Sequence, residues 1–565
     1  MTTIFKPFNI NVKYNRRIIM RDKISLSADI YFPKDINLPL PVILSRTPYD
    51  NSADNMIESA IYFAQKGYIF IAQDTRGRND SDGDFKPWVD EFNDGFDTLE
   101  WIGSQHWCDG NIGMVGGSYI GNVQWQAACM GSKYLKTIVP RVIGDNLHES
   151  PHYQGGAFQL GWAVTWSWRQ DGRTTQSLEN YDWNQLFMTL PLKKLDEYAG
   201  KNVDFFHEWI SHPDYDDYWK YLAIKERYQD ISIPILQIGG WYDFFTAGTF
   251  NNYLGMKKNG GSKLARSNQK VILGPWVHNA GVLSYAGNVD FGLDSKVDFL
   301  SIELEWFDHW LKGINNGVES KPDIKIFTMG INKWINENKW PLENTVYTKY
   351  YFHSNGSANS LFGDGYLSKD PPSEESDDSY IYNPAFPVPT LGGNTCCNPD
   401  IVSWGAYNQS SIEARNDVLV YTSDSLDFDV EVTGSIIVKL YASSNCIDTD
   451  FTAKLVDVYP NGSAINIADG ILRARYREST QYQKLIEPNK VYEYDIDLWA
   501  TSNVFKKDHK IRVDISSSNF PRFDRNLNTG GDFALEYDFK IASQKIHHNK
   551  DFQSHIVLPI IIRSL

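Results

Sequence analysis

The sequence predicts a three-part chain: an α/β domain with a parallel sheet, a helical insertion within that domain, and a C-terminal all-β sandwich. Early in the chain, short and fully apolar runs alternate with helical patterns, which is typical of a parallel sheet covered on both faces. The sheet pattern then stops and resumes, and the last part of the chain is strand after strand. The predicted domains are residues 1–144 with 231–345, 145–230, and 346–565.

The strands of the α/β domain are apolar runs too short to be helices. They are predicted at residues 41–44, 68–72, 112–115, 135–139, 234–240 and 270–273. Residues 55–66 and 94–104 have helical spacing, and the second helix opens with acidic side chains, which suit the positive end of a helix dipole.

The insertion and the sandwich differ in texture from the α/β domain. Residues 145–230 hold many tryptophans among polar residues and no strand-like run, so we expect helices. In the sandwich, polar turns separate the strands, and the acidic, proline-bearing stretch 368–378 is expected to be an exposed loop. Its clearest strands are predicted at residues 417–421, 435–441, 451–458, 510–515 and 555–562.

The composition argues against several classes of protein. Fifty-four Lys and Arg against seventy Asp and Glu leave a net charge of −16, which would repel the phosphates of nucleic acids and anionic membranes. No stretch approaches the ~20 apolar residues of a membrane span, and the N-terminal residues lack the apolar core of a secretory signal. We expect a soluble cytoplasmic protein whose partners are a small molecule and, at most, a second copy in a homodimer.

Metal and disulfide patterns are weak. Five cysteines are too few for a disulfide scaffold, and adjacent cysteines such as Cys396 and Cys397 rarely bond to each other. The acidic loop 80–84 resembles a calcium loop, but its glycine stands at the fourth position instead of the sixth. His547 and His548 are expected to be surface residues. We therefore predict no metal ion and no cofactor.

The sharpest chemical signal is a glycine-flanked serine. Residues 114–121 read Met-Val-Gly-Gly-Ser-Tyr-Ile-Gly and lead from a predicted strand into a predicted helix at 122–130. A serine on such a bend is held exposed above the sheet edge, and Gly116 and Gly121 permit close backbone approach. The spacing is GxSxxG instead of the commoner GxSxG, and many such turns are structural, so the motif alone leaves both interpretations open.

Two further residues follow strands in the order that a serine nucleophile requires. Such a nucleophile needs a general base, and the base needs a carboxylate that orients it. Asp243 directly follows strand 234–240, and His278 directly follows strand 270–273. A lone histidine or aspartate is more often structural, but the order Ser118, Asp243, His278 at three strand ends favours a catalytic set.

The oxyanion of an acyl-transfer reaction needs hydrogen-bond donors. The backbone amide of Tyr119, next to the serine, is one candidate. A second donor is expected from loop 45–50, which has no glycine-rich run but carries the phenol of Tyr49. A tyrosine after a proline is more often a packed turn residue, so the role of Tyr49 stays open at this point.

The sequence resembles the cocaine-esterase and X-Pro dipeptidyl-peptidase family, peptidase family S15. The displaced glycine of the serine motif is this family's form, and the resemblance covers nearly the whole chain. The matching pieces are Arg-Thr-Pro-Tyr-Asp at 46–50, Gln-Asp-Thr-Arg-Gly-Arg at 73–78, Gly-Gly-Ser-Tyr-Ile-Gly at 116–121, Gly-Trp-Tyr-Asp at 240–243, Gly-Pro-Trp-Val-His at 274–278, and residues 448–458 and 516–524.

The resemblance implies an α/β-hydrolase domain with an inserted helical cap and a C-terminal jelly roll. It implies that Ser118 is the nucleophile, His278 the general base and Asp243 its orienting carboxylate. It also implies that the Tyr49 hydroxyl completes the oxyanion site. The implied reaction is hydrolysis of an ester or amide through an acyl-enzyme, by an esterase or acylase that acts on a small acyl compound.

Other functions remain as alternatives. X-Pro dipeptidyl peptidases resemble this chain but carry a large N-terminal helical domain, for which Ser118 lies too early. The α-amino-acid ester hydrolases have carboxylates just after the catalytic Asp, where this chain has Phe244, Phe245 and Thr246. An acyltransferase with the same triad is a further alternative. A non-enzymatic binding protein built on the jelly roll is disfavoured by the intact triad.

Aromatic side chains are candidates for the substrate pocket. Trp162, Trp166 and Trp168 lie in the insertion, and Phe245 follows the catalytic aspartate. An aromatic acyl or alcohol group would pack on such rings. Trp162 and Trp166 are four residues apart, which suits ordinary core packing of a helix equally well. The predicted substrate-binding residues are Trp162, Trp166 and Phe245.

Overall fold

The computed structural model describes residues 9–34, 36–37, 39–279 and 281–563. The outer ends of the predicted domains 1–144 and 346–565 therefore lie outside the described residues. Within the described residues, the α/β domain has a ten-stranded sheet. Its strands are β1 Ile10–Ile19, β2 Ser25–Pro33, β3 Leu40–Thr47, β4 Ile69–Asp74, β5 Cys108–Gly117, β6 Leu135–Arg141, β7 Ile235–Gly240, β8 Gln269–Gly274, β9 Ile324–Thr328 and β10 Lys333–Glu337.

The strand order is β1-β2-β4-β3-β5-β6-β7-β8-β9-β10. The strands from β4 to β9 along this order are parallel, and antiparallel strands close both edges. Every residue of β4, β7 and β8 is buried, because helices cover both faces of a parallel sheet. The sequence prediction did not name β1, β2, β9 or β10. The mostly exposed and charged residues of β1 are typical of an edge strand.

Twelve α-helices lie in the described residues. They are α1 Asp54–Gln65, α2 Glu91–Gly103, α3 Tyr119–Cys129, α4 Leu160–Gln170, α5 Trp183–Met188, α6 Leu195–Tyr198, α7 Asp204–Ser211, α8 Asp217–Leu222, α9 Thr246–Asn259, α10 Lys263–Ser267, α11 Phe299–Lys312 and α12 Ser410–Glu413. In this part of the chain, none of these helices is long and apolar enough to cross a membrane.

The stretch 145–230 contains helices α4 to α8 and covers the carboxyl ends of the central strands. It also contains a hairpin of Tyr153–Gln154 with Ala157–Phe158, which the sequence prediction did not include. The hairpin docks on the C-terminal domain, since the Phe158 amide donates to Asp524 Oδ1 at 2.8 Å. The cap therefore packs against two parts of the molecule, the carboxyl ends of the sheet strands and the all-β domain.

The C-terminal domain is an all-β jelly roll. Its hydrogen-bonded order is β13-β20-β15-β21-β11-β12-β14-β19-β16-β17, with β18 paired to β15. The strands are β11 Thr345–His353, β12 Tyr366–Ser368, β13 Asp378–Tyr382, β14 Leu419–Thr422, β15 Val430–Ser444, β16 Asp450–Val458, β17 Ala464–Arg473, β18 Tyr492–Phe505, β19 Lys510–Ser516, β20 Ala542–His547 and β21 His555–Ile561.

One surface prediction in this domain is wrong. His548 is fully buried, and its Nε2 lies 2.8 Å from Asp378 Oδ2. His547 is also buried, with Nδ1 2.9 Å from Asp377 Oδ1. Asp378 is buried at the start of β13, so the last residue of the loop 368–378, which was predicted to be exposed, lies inside the domain. The histidines face carboxylates and not solvent.

Candidate active site

Ser118 connects β5 to α3 at a sharp turn. Its backbone has φ 61° and ψ −130°, a conformation that non-glycine residues rarely adopt. Its N–H donates to Arg141 O at 2.9 Å, and its carbonyl accepts from the amides of Gly121 and Asn122 at 2.8 and 3.0 Å. These three hydrogen bonds hold the strained residue above the sheet edge, with its side chain partly exposed.

The two outer glycines of the motif are required by space. At Gly116, with φ 135°, a Cβ atom would overlap the side chain of Ile120. At Gly121, a Cβ atom would lie 2.9 Å from the carbonyl oxygen of Arg141 on β6. Gly121 is the third residue of α3, where the helix approaches β6 most closely in this motif.

Ser118, His278 and Asp243 form one chain of hydrogen bonds. The Ser118 Oγ lies 2.8 Å from His278 Nε2, and His278 Nδ1 lies 2.5 Å from Asp243 Oδ2. Asp243 is fully buried, and its other oxygen accepts from the Phe245 amide at 2.8 Å. With the Nδ1 proton directed at Asp243, the ring presents the Nε2 lone pair to Ser118.

The jelly roll supports the aspartate loop. The side-chain amide of Asn394 donates to the carbonyl oxygens of Trp241 at 2.8 Å and Asp243 at 3.1 Å. On the other side, the Thr246 hydroxyl lies 2.6 Å from the Asp243 carbonyl oxygen. No local pattern at Asn394 could have revealed this contact, because it joins two domains.

The Tyr49 hydroxyl lies at the serine. It accepts a hydrogen bond from Trp166 Nε1 at 3.4 Å and shares another with the Ser118 side chain. Burial raises the pKa of Tyr49, so the phenol stays protonated at neutral pH. The indole donor occupies a lone pair of the oxygen and leaves the phenolic proton for an acceptor beside Ser118. The Tyr49 hydroxyl therefore borders the Ser118 side chain, as the predicted oxyanion role requires.

Tyr119 has its amide at the first position of α3, where a helix offers no backbone acceptor. Its hydroxyl donates to Glu91 Oε1 at 2.9 Å and accepts from the Trp88 amide at 3.0 Å. Glu91 in turn forms a buried ion pair with Arg46 at 2.7 Å. Burial raises the pKa of Glu91, and the Arg46 charge opposes that rise. Glu91 is thus turned inward, toward Arg46 and Tyr119.

Arg78 connects the Tyr49 loop to the cap. Its Nε donates to the carbonyl of Pro48 at 2.7 Å, and its two terminal nitrogens donate to the Gln170 carbonyl at 2.9 Å and to Gln170 Oε1 at 2.8 Å. Burial lowers the pKa of Arg78 to about 10, which leaves it charged at neutral pH. Its place in the matched motif 73–78 was the one sequence signal for this contact.

The predicted substrate-binding aromatics lie beside the triad. Trp162 and Trp166 stack with ring centroids 5.8 Å apart, and the Phe245 ring is 5.9 Å from the His278 ring. All three side chains are buried. Trp162 and Trp166 belong to the packed interior of the cap, Phe245 adjoins the catalytic histidine, and their role in substrate binding stays a prediction.

Trp168 does not join this group. It is fully buried, and its ring packs edge-on against Phe206 of α7 with centroids 5.3 Å apart. The suggestion that Trp168 borders the substrate pocket is wrong, because the side chain belongs to the interior of the cap.

A group that sequence reasoning missed adjoins the base. Cys396 and Cys397 lie in a jelly-roll loop, and their sulfur atoms and a ring nitrogen of His278 are all within 4.8 Å of one another. The structure joins the two adjacent cysteines by a disulfide, against the sequence expectation. The weak candidates for metal binding, loop 80–84 and His547 with His548, are not part of this group.

Residues 22–280 match the X-Pro dipeptidyl-peptidase (S15 family), and residues 316–557 match the X-Pro dipeptidyl-peptidase C-terminal non-catalytic domain. The cocaine esterase of Rhodococcus sp. (strain MB1 Bresler) is 38% identical over an alignment of 590 positions, which covers 98% of this chain and 99% of that protein.

Two solved structures share the fold over almost the full length. An aminopeptidase from a marine sediment Thaumarchaeota archaeon has a TM-score of 0.86 at 24% identity, covering 100% of this chain and 98% of its own. An α-amino acid ester hydrolase has a TM-score of 0.84 at 23% identity, covering 99% of this chain and 98% of its own. At these identities the likeness concerns the fold.

Proposed function

The chain belongs to the X-Pro dipeptidyl-peptidase (S15) family of serine hydrolases, and on that premise we propose that Ser118, His278 and Asp243 hydrolyse an ester of a small carboxylic acid. The observation that carries this proposal is the hydrogen-bonded chain of these three side chains, which follow the parallel strands β5, β7 and β8. The strained serine, the oriented histidine and the buried carboxylate have the order and geometry of an acyl-transfer triad.

In the first half-reaction, the Ser118 Oγ forms a bond to the carbonyl carbon of the ester and gives its proton to His278 Nε2. The carbonyl electron pair moves onto oxygen, where the Tyr49 hydroxyl and the Tyr119 amide donate hydrogen bonds to it. When the tetrahedral intermediate collapses, the bond to the alcohol oxygen breaks and that oxygen takes the proton from His278. Asp243 holds the ring and stabilises the imidazolium that forms between the two transfers.

In the second half-reaction, water replaces the serine as nucleophile. His278 takes a proton from the water as it attacks the acyl carbon, and the oxyanion forms again between Tyr49 and Tyr119. Collapse breaks the bond to the Ser118 Oγ, which recovers a proton from His278, and the carboxylic acid leaves. One water is consumed for each ester, and the enzyme returns to its starting state.

The environment of the base supports an uncharged acyl or alcohol group. The rings of Phe244 and Phe245 lie 5.3 and 5.9 Å from the His278 ring. Thr246, the next residue, directs its hydroxyl to backbone oxygens. These positions therefore offer no negative charge to bind a substrate ammonium, and the rings suit an aryl or alkyl group. The relative named cocaine esterase supports an ester as the scissile bond.

The test compares kcat/KM on a p-nitrophenyl acyl ester and on Gly-Pro-p-nitroanilide, with Ser118→Ala as the blank. We expect a strong preference for the ester, and Ser118→Ala should lower turnover by roughly 10⁴-fold or more without loss of fold. Near-normal turnover in Ser118→Ala would refute the assignment of the nucleophile.

The second candidate function is an X-Pro dipeptidyl peptidase, which the name of the matched family favours. Preference for the anilide in the same assay would support it against the esterase. Addition of an alcohol or amine tests the third function, acyl transfer. If most of the acyl group appears in the new ester or amide, and little in the free acid, at low nucleophile concentration, the enzyme is an acyltransferase that uses the same triad.

We also propose a cytoplasmic location. It is supported by the three free thiols Cys108, Cys129 and Cys446, and it implies that the Cys396–Cys397 pair is reduced in the cell. Cell fractionation tests the location. The homodimer stays a proposal, and light scattering in solution gives the mass that decides it.

A further inference from the structure

A cysteine pair from the jelly roll reaches the catalytic base. Cys396 and Cys397 belong to the loop between β13 and α12, and both sulfur atoms lie within 4.8 Å of a ring nitrogen of His278. Cys396 is 3% exposed, whereas Cys397 and His278 are partly exposed. The loop is fastened to the catalytic loop by Asn394, which donates to the Asp243 carbonyl. The sulfurs are therefore held beside His278 by the same contact that supports the triad.

The backbone at this pair is unusual. Cys397 adopts a left-handed conformation with φ 86°, which an L-residue keeps only where its surroundings hold it. Such conformations are enriched at binding and catalytic sites. The loop therefore holds the cysteine pair in a defined position, and the two sulfurs lie on the jelly-roll side of the active site.

The pair has two redox forms. In the structure the sulfurs are joined by a disulfide. A low-molecular-weight thiol opens such a bond by exchange: its thiolate attacks one sulfur, the S–S bond breaks, and a second thiol resolves the mixed disulfide. Two electrons and two protons pass to the protein sulfurs, and the reductant leaves as its own disulfide. The product is a pair of thiols facing an imidazole.

Two thiolates and one imidazole are the donor set of thiophilic divalent cations such as Zn²⁺ and Cd²⁺. In a tetrahedral zinc site, with bonds of about 2.0 Å to nitrogen and 2.3 Å to sulfur, the ligand atoms are about 3.5–3.8 Å apart. Both sulfurs start within 4.8 Å of the His278 nitrogen, and after reduction they must move apart from bonding distance to this spacing. Because Asp243 holds Nδ1, the nitrogen for the metal is Nε2, and a carboxylate that fixes a metal-bound histidine is a common arrangement.

We propose that the reduced Cys396–Cys397 pair and His278 bind one thiophilic divalent cation, and that the bound cation stops hydrolysis. Binding displaces two thiol protons to solvent, forms two sulfur–metal bonds and uses the Nε2 lone pair of His278. The same lone pair takes the Ser118 proton, so an occupied site has no general base. In this respect the inference rests on the proposed function.

The experiment uses the full chain, reduced with a dithiol that is then removed under argon, and titrated with Cd²⁺ alone. We expect one equivalent of Cd²⁺ to produce the ultraviolet charge-transfer band of cadmium–thiolate bonds and to abolish ester hydrolysis in parallel, with recovery on addition of EDTA. Cys396 and Cys397 should also become protected from alkylation by iodoacetamide, as measured by peptide mass spectrometry. A reduced wild type with no band, or with both cysteines unprotected, overturns the proposal without any variant.

Variants separate the contributions. Cys396→Ala/Cys397→Ala should lose the band and raise the Cd²⁺ concentration for half-inhibition by roughly 100-fold or more, since loss of an outer hydrogen-bond partner already costs 10–100-fold in affinity. Inhibition at the wild-type concentration would overturn the site. His278→Ala should keep the band but bind Cd²⁺ at least about tenfold more weakly, and unchanged affinity would overturn the role of His278.

Two controls complete the design. Cys446→Ser removes a buried cysteine of the jelly roll and should titrate like the wild type. Ser118→Ala should keep the full cadmium band while it lacks turnover. If Ser118→Ala keeps turnover, the proposed function fails, and the band in that variant still reports on the metal site by itself.

Discussion

The catalytic edge of the α/β sheet and the centre of the jelly roll both bury charged and polar side chains in hydrogen-bonded chains. At the catalytic edge, Asp243, His278 and Ser118 are joined in series at 2.5 and 2.8 Å, and the serine end is partly exposed. In the jelly roll, Arg473 donates to both Asp450 and Asp524 at 2.9 Å, and all three are buried. The first chain ends at a free nucleophile, whereas every member of the second is surrounded by partners.

Changes in the first chain should therefore affect catalysis, and changes in the second should affect the stability of the fold. A change in the catalytic chain removes a proton acceptor or its orientation, and the strand ends that carry it remain packed. A change in the jelly-roll chain leaves a buried charge without its partner, which is among the most costly defects in a folded protein. Asp524 also accepts the Phe158 amide of the cap, so the jelly roll keeps the cap in place over the catalytic edge.

The largest expected effect is that of Asp243→Asn, in the catalytic chain. The variant keeps the size of the side chain but loses the charge that selects the His278 tautomer, so kcat should fall by roughly 10⁴-fold, or about 5.5 kcal/mol in barrier. Steady-state kinetics and thermal unfolding measured on the same sample should show the loss of rate with an almost unchanged midpoint. A large drop of the unfolding midpoint would mean that Asp243 belongs to the stabilising class of charges instead.

Arg473→Met, in the jelly-roll chain, should lower stability and leave the turnover of the folded molecules unchanged. Removal of the guanidinium leaves Asp450 and Asp524 together in a buried place, and the free energy of unfolding should fall by about 3–5 kcal/mol. The molecules that remain folded should turn over substrate at the wild-type rate. Arg21→Met is the matched control: its partner is Asp97 at 2.7 Å, but Arg21 is 48% exposed, so the loss should stay within about 1 kcal/mol. Equal losses in both variants would contradict the assignment.

Tyr49→Phe sharpens the comparison within the catalytic edge. The change removes one oxyanion donor and keeps the ring, so kcat should fall by roughly 10²–10³-fold, with little change in KM or in the unfolding midpoint. Tyr14→Phe, on the exposed edge strand β1, is the control and should leave the rate unchanged. A wild-type rate in Tyr49→Phe would return this tyrosine to a packing role.

The sequence predicted the catalytic set because its chemistry demands an order along the chain. Ser118, Asp243 and His278 each stand at the end of an apolar strand, and fully buried parallel strands are legible as continuous apolar runs. The first helices were predicted to within a few residues for the same reason. The start of α3 was placed three residues late, because the turn at Ser118 begins the helix immediately.

Contacts between domains could not be predicted in this way. Asn394, Cys396 and Cys397 are far from the triad in sequence, and no periodic pattern indicates that their loop reaches His278. The edge strand β1 was missed because half-exposed edge strands carry charges instead of an apolar run. His548 was misassigned because a histidine next to a polar segment gives no sign of the buried carboxylate that it faces across the sheet.

The contact between His548 and Asp378 provides the smallest of the expected effects. His548 Nε2 lies 2.8 Å from Asp378 Oδ2, and Glu375 lies 3.4 Å from Nδ1. Burial alone would lower the pKa of His548, but the hydrogen bond and charge of Asp378 outweigh it and raise the pKa above 6.5. The pKa of Asp378 shifts downward from 3.8; burial opposes this shift, and the His548 hydrogen bond outweighs the burial.

His548→Gln should therefore destabilise the jelly roll in a pH-dependent way. A raised folded-state pKa of His548 adds stability that is complete below 6.5 and is lost as pH rises through the folded value. A lowered pKa of Asp378 adds stability above 3.8 that is lost as pH falls through the folded value. The wild type should exceed the variant by about 1–2 kcal/mol near pH 5, and the gap should narrow toward alkaline pH. Denaturant unfolding across this range measures it, with the exposed His106→Gln as control. Parallel curves for wild type and His548→Gln would show that folding does not raise the pKa of His548, and the contact with Asp378 would then add no pH-dependent stability.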